Sequence, residues 1–256
     1  MRIGGAPTKL DLAGVDQDGI PRDKLSDRDM VVVATMLSVP AVLPKLEVLR
    51  FDDNDLGAAG TAAFAQAVGG GTSDALRSVS KLFLQRNHLG NVGLKQLTPS
   101  LRPDTLPNLA ELHLAFNGIG DPGIERFAAT IGAGALPKLS VLNLSKNAIG
   151  DAGAKAIAAA AAKPAAAAAA DAKEAPPKPL SRLKWLLLGG NELGAAGAAA
   201  LTATLSNAAS MPNLEQLHLG GNPFVAEPSA GAAFEAAAKA RPRPKHKTTT
   251  CVVDLS

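Results

Sequence analysis

Residues 139–153 read Leu-Ser-Val-Leu-Asn-Leu-Ser-Lys-Asn-Ala-Ile-Gly-Asp-Ala-Gly. Leu142 and Leu144 alternate with Val141, Asn143 and Ser145, which is the period of a strand with one buried face. Asn147 stands where the chain must leave that strand. A side-chain amide there can bond the turn's unpaired backbone groups. Leaving such groups unpaired costs roughly 1–3 kcal/mol each. Gly150 and Gly153 allow tight turns before a helix, and Asp151 is a helix-start residue.

The same spelling recurs at 46–56, 79–89, 109–119, 183–193 and 214–224. The invariant amides are Asn54, Asn87, Asn117, Asn147, Asn191 and Asn222, at spacings of 33, 30, 30, 44 and 31. Five copies carry a glycine pair: Gly57/Gly60, Gly90/Gly93, Gly120/Gly123, Gly150/Gly153 and Gly194/Gly197. The Asn residues are expected to form a structural ladder. Helices are expected at 123–131 and 154–162, with Asp121-Pro122 as a further start signal. A degenerate first copy covers 8–40: Leu10-Asp11-Leu12 reads as a strand, Val15 replaces the Asn, and a helix at 26–37 has Ser26 and Asp29 at capping-box spacing. A terminal strand lies within 251–256.

Strand and helix alternating at this period imply one parallel sheet of about eight strands with right-handed crossovers. Strands stack about 4.8 Å apart and helices about 8–10 Å apart. The mismatch bends the array, strands concave and helices convex. The expected fold is therefore α/β, a curved solenoid filling residues 1–256 as a single domain, with repeats starting near 46, 79, 109, 139, 183 and 214. Composition agrees: 46% of residues are hydrophobic but only 3% aromatic, which suits thin aliphatic layers.

The pattern Leu-x-x-Leu-x-Leu-x-x-Asn-x-Ile-Gly-Asp-x-Gly at 139–153 resembles the ribonuclease-inhibitor-like leucine-rich repeats. That resemblance spans nearly the whole chain. It implies a horseshoe that binds protein partners, usually on its concave side, as in ribonuclease inhibitors, Ran GTPase-activating proteins, tropomodulin-like actin regulators and the sensor arms of NOD-like receptors. The cysteine-rich character of ribonuclease inhibitor is missing here.

The register assigns faces. One concave column reads Lys9, Val48, Lys81, Glu111, Val141, Trp185, Gln216, Val252. The central column reads Asp11, Arg50, Phe83, His113, Asn143, Leu187, His218, Asp254. The third reads Ala13, Asp52, Gln85, Ala115, Ser145, Gly189, Gly220, Ser256, and the turn beyond it holds Asp53, Arg86, Phe116 and Lys146. The scaffold does not dictate these identities. Exposed aromatics beside Arg and His are hot-spot types. The expected partner-binding residues are Arg50, Asp52, Phe83, Arg86, His113, Phe116, Asn143, Lys146, Trp185, Leu187 and His218. Val141, Trp185 and Leu187 should form an apolar patch. Gly189, Gly190, Gly220 and Gly221 either leave a notch beside it or are ordinary turn glycines of a Gly- and Ala-rich sequence.

No catalytic, metal or cofactor site is expected. His113 and His218 lie three repeats apart, about 14 Å at strand spacing. Cys251 lacks an oxyanion motif. Asp16-Gln17-Asp18-Gly19 is no calcium loop, because Gly14 and Leu25 would fill its first and twelfth ligand positions. One alternative function is regulation of a small GTPase through a supplied Arg86 or Arg50, although the arginine-bearing loop motif of the Ran GTPase-activating family is absent near both. Another is a structural subunit or fragment of a larger repeat array, with end-to-end self-association through an uncapped last layer.

A net charge of +3 is too mild to argue for nucleic acid. No stretch approaches the roughly 20 apolar residues of a membrane span. A single cysteine suits a reducing, cytoplasmic setting. The basic stretch 239–247 reads as a solvated linker or as a nuclear-import or phosphate-binding patch. The Lys-Pro-Ala insertion 163–179, which accounts for the 44-residue spacing, reads as a tolerated loop or as a docking or regulatory segment.

Overall fold

The computed structural model describes residues 8–15, 18–39, 46–69, 74–163, 178–207, 209–240 and 251–256. Most of the 163–179 insertion and most of the basic 239–247 stretch lie outside the described residues.

The described chain forms one open eight-stranded parallel sheet, the strands lying in sequence order. They are β1 (Lys9–Asp11), β2 (Val48–Arg50), β3 (Lys81–Phe83), β4 (Glu111–His113), β5 (Val141–Asn143), β6 (Trp185–Leu187), β7 (Gln216–His218) and β8 (Val252–Asp254). The α-helices among the described residues are α1 (Asp27–Ser38), α2 (Ala58–Gly69), α3 (Gly90–Leu97), α4 (Asp121–Gly132), α5 (Asp151–Ala162), α6 (Ala195–Ser206) and α7 (Pro228–Ala240). The architecture is a curved α/β solenoid. Its register pairs Leu49, Leu82, Leu112, Leu142, Leu186 and Leu217 strand to strand. Each of these leucines is fully buried. Burying such a side chain stabilises by about 1.5–3 kcal/mol, so the stripe drives the stacking.

The six asparagines staple neighbouring repeats. Asn117 Nδ2 donates to Leu84 O of the preceding repeat (2.9 Å) and to Leu114 O of its own (3.1 Å), and its Oδ1 accepts from Leu89 N–H. Asn54, Asn87, Asn147, Asn191 and Asn222 repeat the scheme, for example Asn222 Nδ2 to Leu188 O (3.0 Å) and Leu219 O (2.7 Å). Direct links between them run through the backbone: Asn117 N–H donates to Asn147 Oδ1 and Asn147 N–H to Asn191 Oδ1.

The capping box at Ser26 and Asp29 forms at the start of α1. Two expectations about the other helix starts need correction. The helices read at 123–131 and 154–162 begin earlier, at Asp121 and Asp151. Those aspartates do not cap their own helices. Asp121 Oδ1 accepts from Gly150 N–H (2.7 Å) and Gly153 N–H (2.9 Å) at the start of α5. Asp151 Oδ1 does the same for Gly194 (2.8 Å) and Gly197 (2.7 Å) at the start of α6. Asn91 serves Gly120 and Gly123, and Asp27 serves Gly57. Thus α1, α3, α4 and α5 each cap the helix that follows.

This reassigns the glycine pairs. Among them only Gly90 has a positive φ, so turn freedom is not their common cause. A Cβ at Gly123, Gly153 or Gly197 would fall 2.7 Å from the docked oxygen of Asn91, Asp121 or Asp151 respectively. Glycine is required because the preceding repeat's side chain occupies that space.

Candidate functional site

The concave columns run across the open face in the expected register, from Lys9, Asp11 and Arg50 at one end to Val252 and Asp254 at the other. Residues flanking each buried leucine keep partial exposure. The chemistry of the two halves differs.

The half built on β1–β4 is charged and internally paired. Arg50 binds Asp52 with Nε and Nη2 at 3.0 and 2.6 Å, and its Nη1 lies 3.7 Å from Asp11. The hydrogen bonds to Asp52 raise the guanidinium's pKa above its ordinary value despite partial burial. Burial alone would raise the Asp11 carboxyl, but its bonds to Lys9 and Ala13 and the nearby Arg50 hold it below the usual range. Asp52 was expected to face a partner, yet it is only 2% exposed. In the same column Ala13, Ala115, Gly189 and Gly220 are buried too, whereas Gln85 and Ser145 are half-buried. Asp52 therefore orients Arg50 and offers no surface of its own.

Phe83 and His113 stack face to face on adjacent strands, with centroids 4.6 Å apart and planes 15° from parallel, and Arg50 stands 5.8 Å from the Phe83 ring. Lys81 pairs with Glu111 at 2.8 Å. His113 Nε2 lies 3.5 Å from Glu111, without forming a full hydrogen bond. Burial pushes the His113 pKa below its ordinary value, against the opposing pull of Glu111. Its Nε2 and Gln85 Oε1 are the buried side-chain polar atoms, among the described residues, that lack a hydrogen-bond partner.

The half built on β5–β8 is mostly uncharged. Trp185 is 42% exposed and Val252 is 52% exposed. Val141, Trp185, Gln216 and Val252 follow one another in register, with Asn143, Leu187 and His218 in the next column. Leu187, Gln216, His218, Val252 and Asp254 line a depression of about 300 Å³. His218 Nε2 is 3.3 Å from Asp254. Hydrogen bonds from Ser256 hold the Asp254 carboxyl below its usual range. Val252 appeared in the sequence columns but not in the expected patch; its register beside Gln216 was the available signal.

The notch expected at Gly189, Gly190, Gly220 and Gly221 is filled. The His218 ring lies over Gly189, the Lys146 stem over Gly190, and the Ser256 backbone against Gly220. These glycines seat neighbouring groups.

In the turn column Arg86 is 61% exposed and Phe116 46% exposed. The Arg86 guanidinium lies 5.1 Å from the Phe116 ring and 3.6 Å from Asp53. Lys146 is also exposed. The structure thus places Arg50, Phe83 and His113 in one cluster, Asn143, Trp185, Leu187 and His218 in a second, and Arg86, Phe116 and Lys146 along the rim.

Among the described residues, no three His, Cys, Asp or Glu side chains are grouped to hold a metal. No described helix is long and apolar enough to cross a membrane.

A leucine-rich-repeat family model matches residues 105–128 and 135–158, the stretches that carry β4 with α4 and β5 with α5. No curated protein matches the chain.

Proposed function

We propose that this leucine-rich-repeat chain, of the ribonuclease-inhibitor-like kind, is a non-catalytic binding module whose protein partner docks on the concave face around Trp185. Leucine-rich repeats generally mediate protein–protein interaction. One observation carries the finer reading. Trp185 stands 42% exposed in a row with Val141 and Val252 and beside Leu187, on a sheet whose alternate residues are buried leucines.

Hot spots gather around aromatic anchors that become fully desolvated, and truncating one costs 2 kcal/mol or more, roughly. Trp185 with its apolar neighbours fits that role, and the depression beside it suits a side chain from the partner. The polar rim is already present as Asn143, Gln216 and His218. The charged half adds less affinity, because its cations already hold carboxylates and exposed ion pairs are worth about 0–1 kcal/mol.

The test is capture of a partner from native lysate by wild-type protein and by Trp185→Ala, Leu187→Ala and the convex control Lys155→Ala. A protein retained by wild type and by Lys155→Ala but lost from the two concave variants supports the reading. Equal recovery by all four rejects it.

A further inference from the structure

The residue just before each ladder asparagine adopts a left-handed backbone: Asp53 (φ 58), Arg86 (55), Phe116 (55), Lys146 (55), Gly190 (65) and Gly221 (69). For an ordinary L-residue this conformation costs about 1–2 kcal/mol. Gly190 and Gly221 show that the solenoid takes glycine at this point without that cost. Among the described residues the other left-handed non-glycine residues are Leu136, Leu180 and Met211, and each buries its side chain in the core, which offsets the strain. Aspartate tolerates the conformation through local hydrogen bonding. Arg86, Phe116 and Lys146 have neither compensation, since their side chains project into solvent. The stacked turns hold the conformation through bonds such as Arg86 N–H to Ala115 O, Phe116 N–H to Ser145 O and Lys146 N–H to Gly189 O, but they do not call for these large exposed side chains, which points to a role outside folding.

The chemistry of the row is defined. Phe116 lies between two cations, with Arg86 over its ring. Asp53 partly neutralises Arg86 at 3.6 Å. Lys146 rests its stem on Gly190 and has no carboxylate within ion-pair distance among the described residues. Arg86 and Lys146 belong to repeats two strand spacings apart, about 9.6 Å.

Resting on the reading that this chain binds a protein partner, we infer that Arg86, Phe116 and Lys146 grip an acidic extended segment of that partner, with two carboxylates three residues apart. In a β-strand, side chains on one face recur about every 6.6 Å, and the next repeat falls near 13 Å. A polyproline II segment returns to the same face every third residue, about 9.3 Å on, which matches the spacing of the two repeats that carry the cations. Proline rings between the carboxylates would meet the Phe116 ring, the usual way an exposed aromatic takes such a segment.

The experiment is fluorescence anisotropy of labelled Gly-Ser-Glu-Pro-Pro-Glu-Ser-Gly, the matched Gln-Pro-Pro-Gln peptide and oligo-deoxythymidine, against the full chain at low salt. The acidic peptide should bind at least about fivefold tighter than the neutral one. Arg86→Gln and Lys146→Gln should each weaken it about threefold, the size expected of a surface ion pair, and added salt should erase the preference. The convex-face variant Lys155→Ala should leave it unchanged. Equal binding of the two peptides, including none by either, overturns the inference. So does tighter binding of the oligonucleotide, or insensitivity to both cation variants. Because the concave-face reading is judged by Trp185→Ala in partner capture, the two can fail separately.

Discussion

Asp121 caps a helix that is not its own: its Oδ1 accepts from Gly153 N–H at 2.9 Å, in the next repeat, where a Cβ would stand 2.7 Å from the same oxygen. The bond and the missing side chain are one device. The carboxylate satisfies two amide donors at the start of α5, sits where a helix N-terminus favours negative charge, and sets the spacing of successive helices.

Gly153→Ala should therefore destabilise, although alanine is the better helix former by about 1 kcal/mol. Crowding Asp121 Oδ1 and Ile149 Cγ2, each 2.7 Å from the new methyl, should cost about 1–3 kcal/mol net. Gly69→Ala is the control, since a Cβ there meets nothing within 4 Å. It should be neutral or stabilising by up to about 1 kcal/mol. Urea midpoints of the two variants decide, and a stabilised Gly153→Ala would refute the docking account.

Asn117→Ala should lower stability by roughly 1–3 kcal/mol, because it leaves the buried Leu89 N–H without its acceptor and removes one of the two donors to each of the carbonyls of Leu84, Leu114 and Ala115. Asn117→Asp keeps the shape but turns a donor toward those carbonyls into an acceptor. Burial would raise its folded carboxyl above the unfolded value, so the native state binds the extra proton and stability falls as pH rises between the two. The loss should be larger at about pH 7.5 than at about pH 4.5 by denaturant titration.

The sheet, its strand register and the buried stripe were legible because they follow from a period of two within one repeat: Leu142 and Leu144 declare their face without reference to any neighbour. What lay between repeats was not. The sequence places Asp121 two residues before Gly123, and local capping rules assign it to that helix; only the stacked structure shows it reaching Gly150 and Gly153. The third concave column failed for a related reason. Alternation says that Asp52 and Ala115 point away from the core, but both are buried, Asp52 in the grip of the Arg50 guanidinium. The glycines at 189 and 220 suggested emptiness, whereas His218 and Ser256 from the next layer fill the space.

Lys146→Gly should raise stability relative to Lys146→Ala by about 1 kcal/mol, since both remove the side chain but only glycine relieves the φ of 55°. Thermal or urea unfolding of the pair measures the difference. Equal stabilities would show that the left-handed turn carries no strain.

His113 ties stability to pH. Burial lowers its folded pKa below its ordinary value near 6.5, so the native state holds it neutral while the unfolded chain takes up a proton. Stability from this group is present above about pH 6.5 and declines as pH falls from there toward the folded value. His113→Gln should flatten that part of the profile relative to wild type, read from urea midpoints between about pH 7.5 and 5.5. An unchanged slope would contradict the burial of the imidazole.

Trp185 is the sequence's single tryptophan, which makes the concave face directly observable. The decisive measurement is its emission and acrylamide quenching, with and without a saturating amount of the captured partner. Free protein should be readily quenched, and the complex should show a blue-shifted, protected Trp185. Binding proven by an independent signal, with emission and quenching unchanged, would contradict the account.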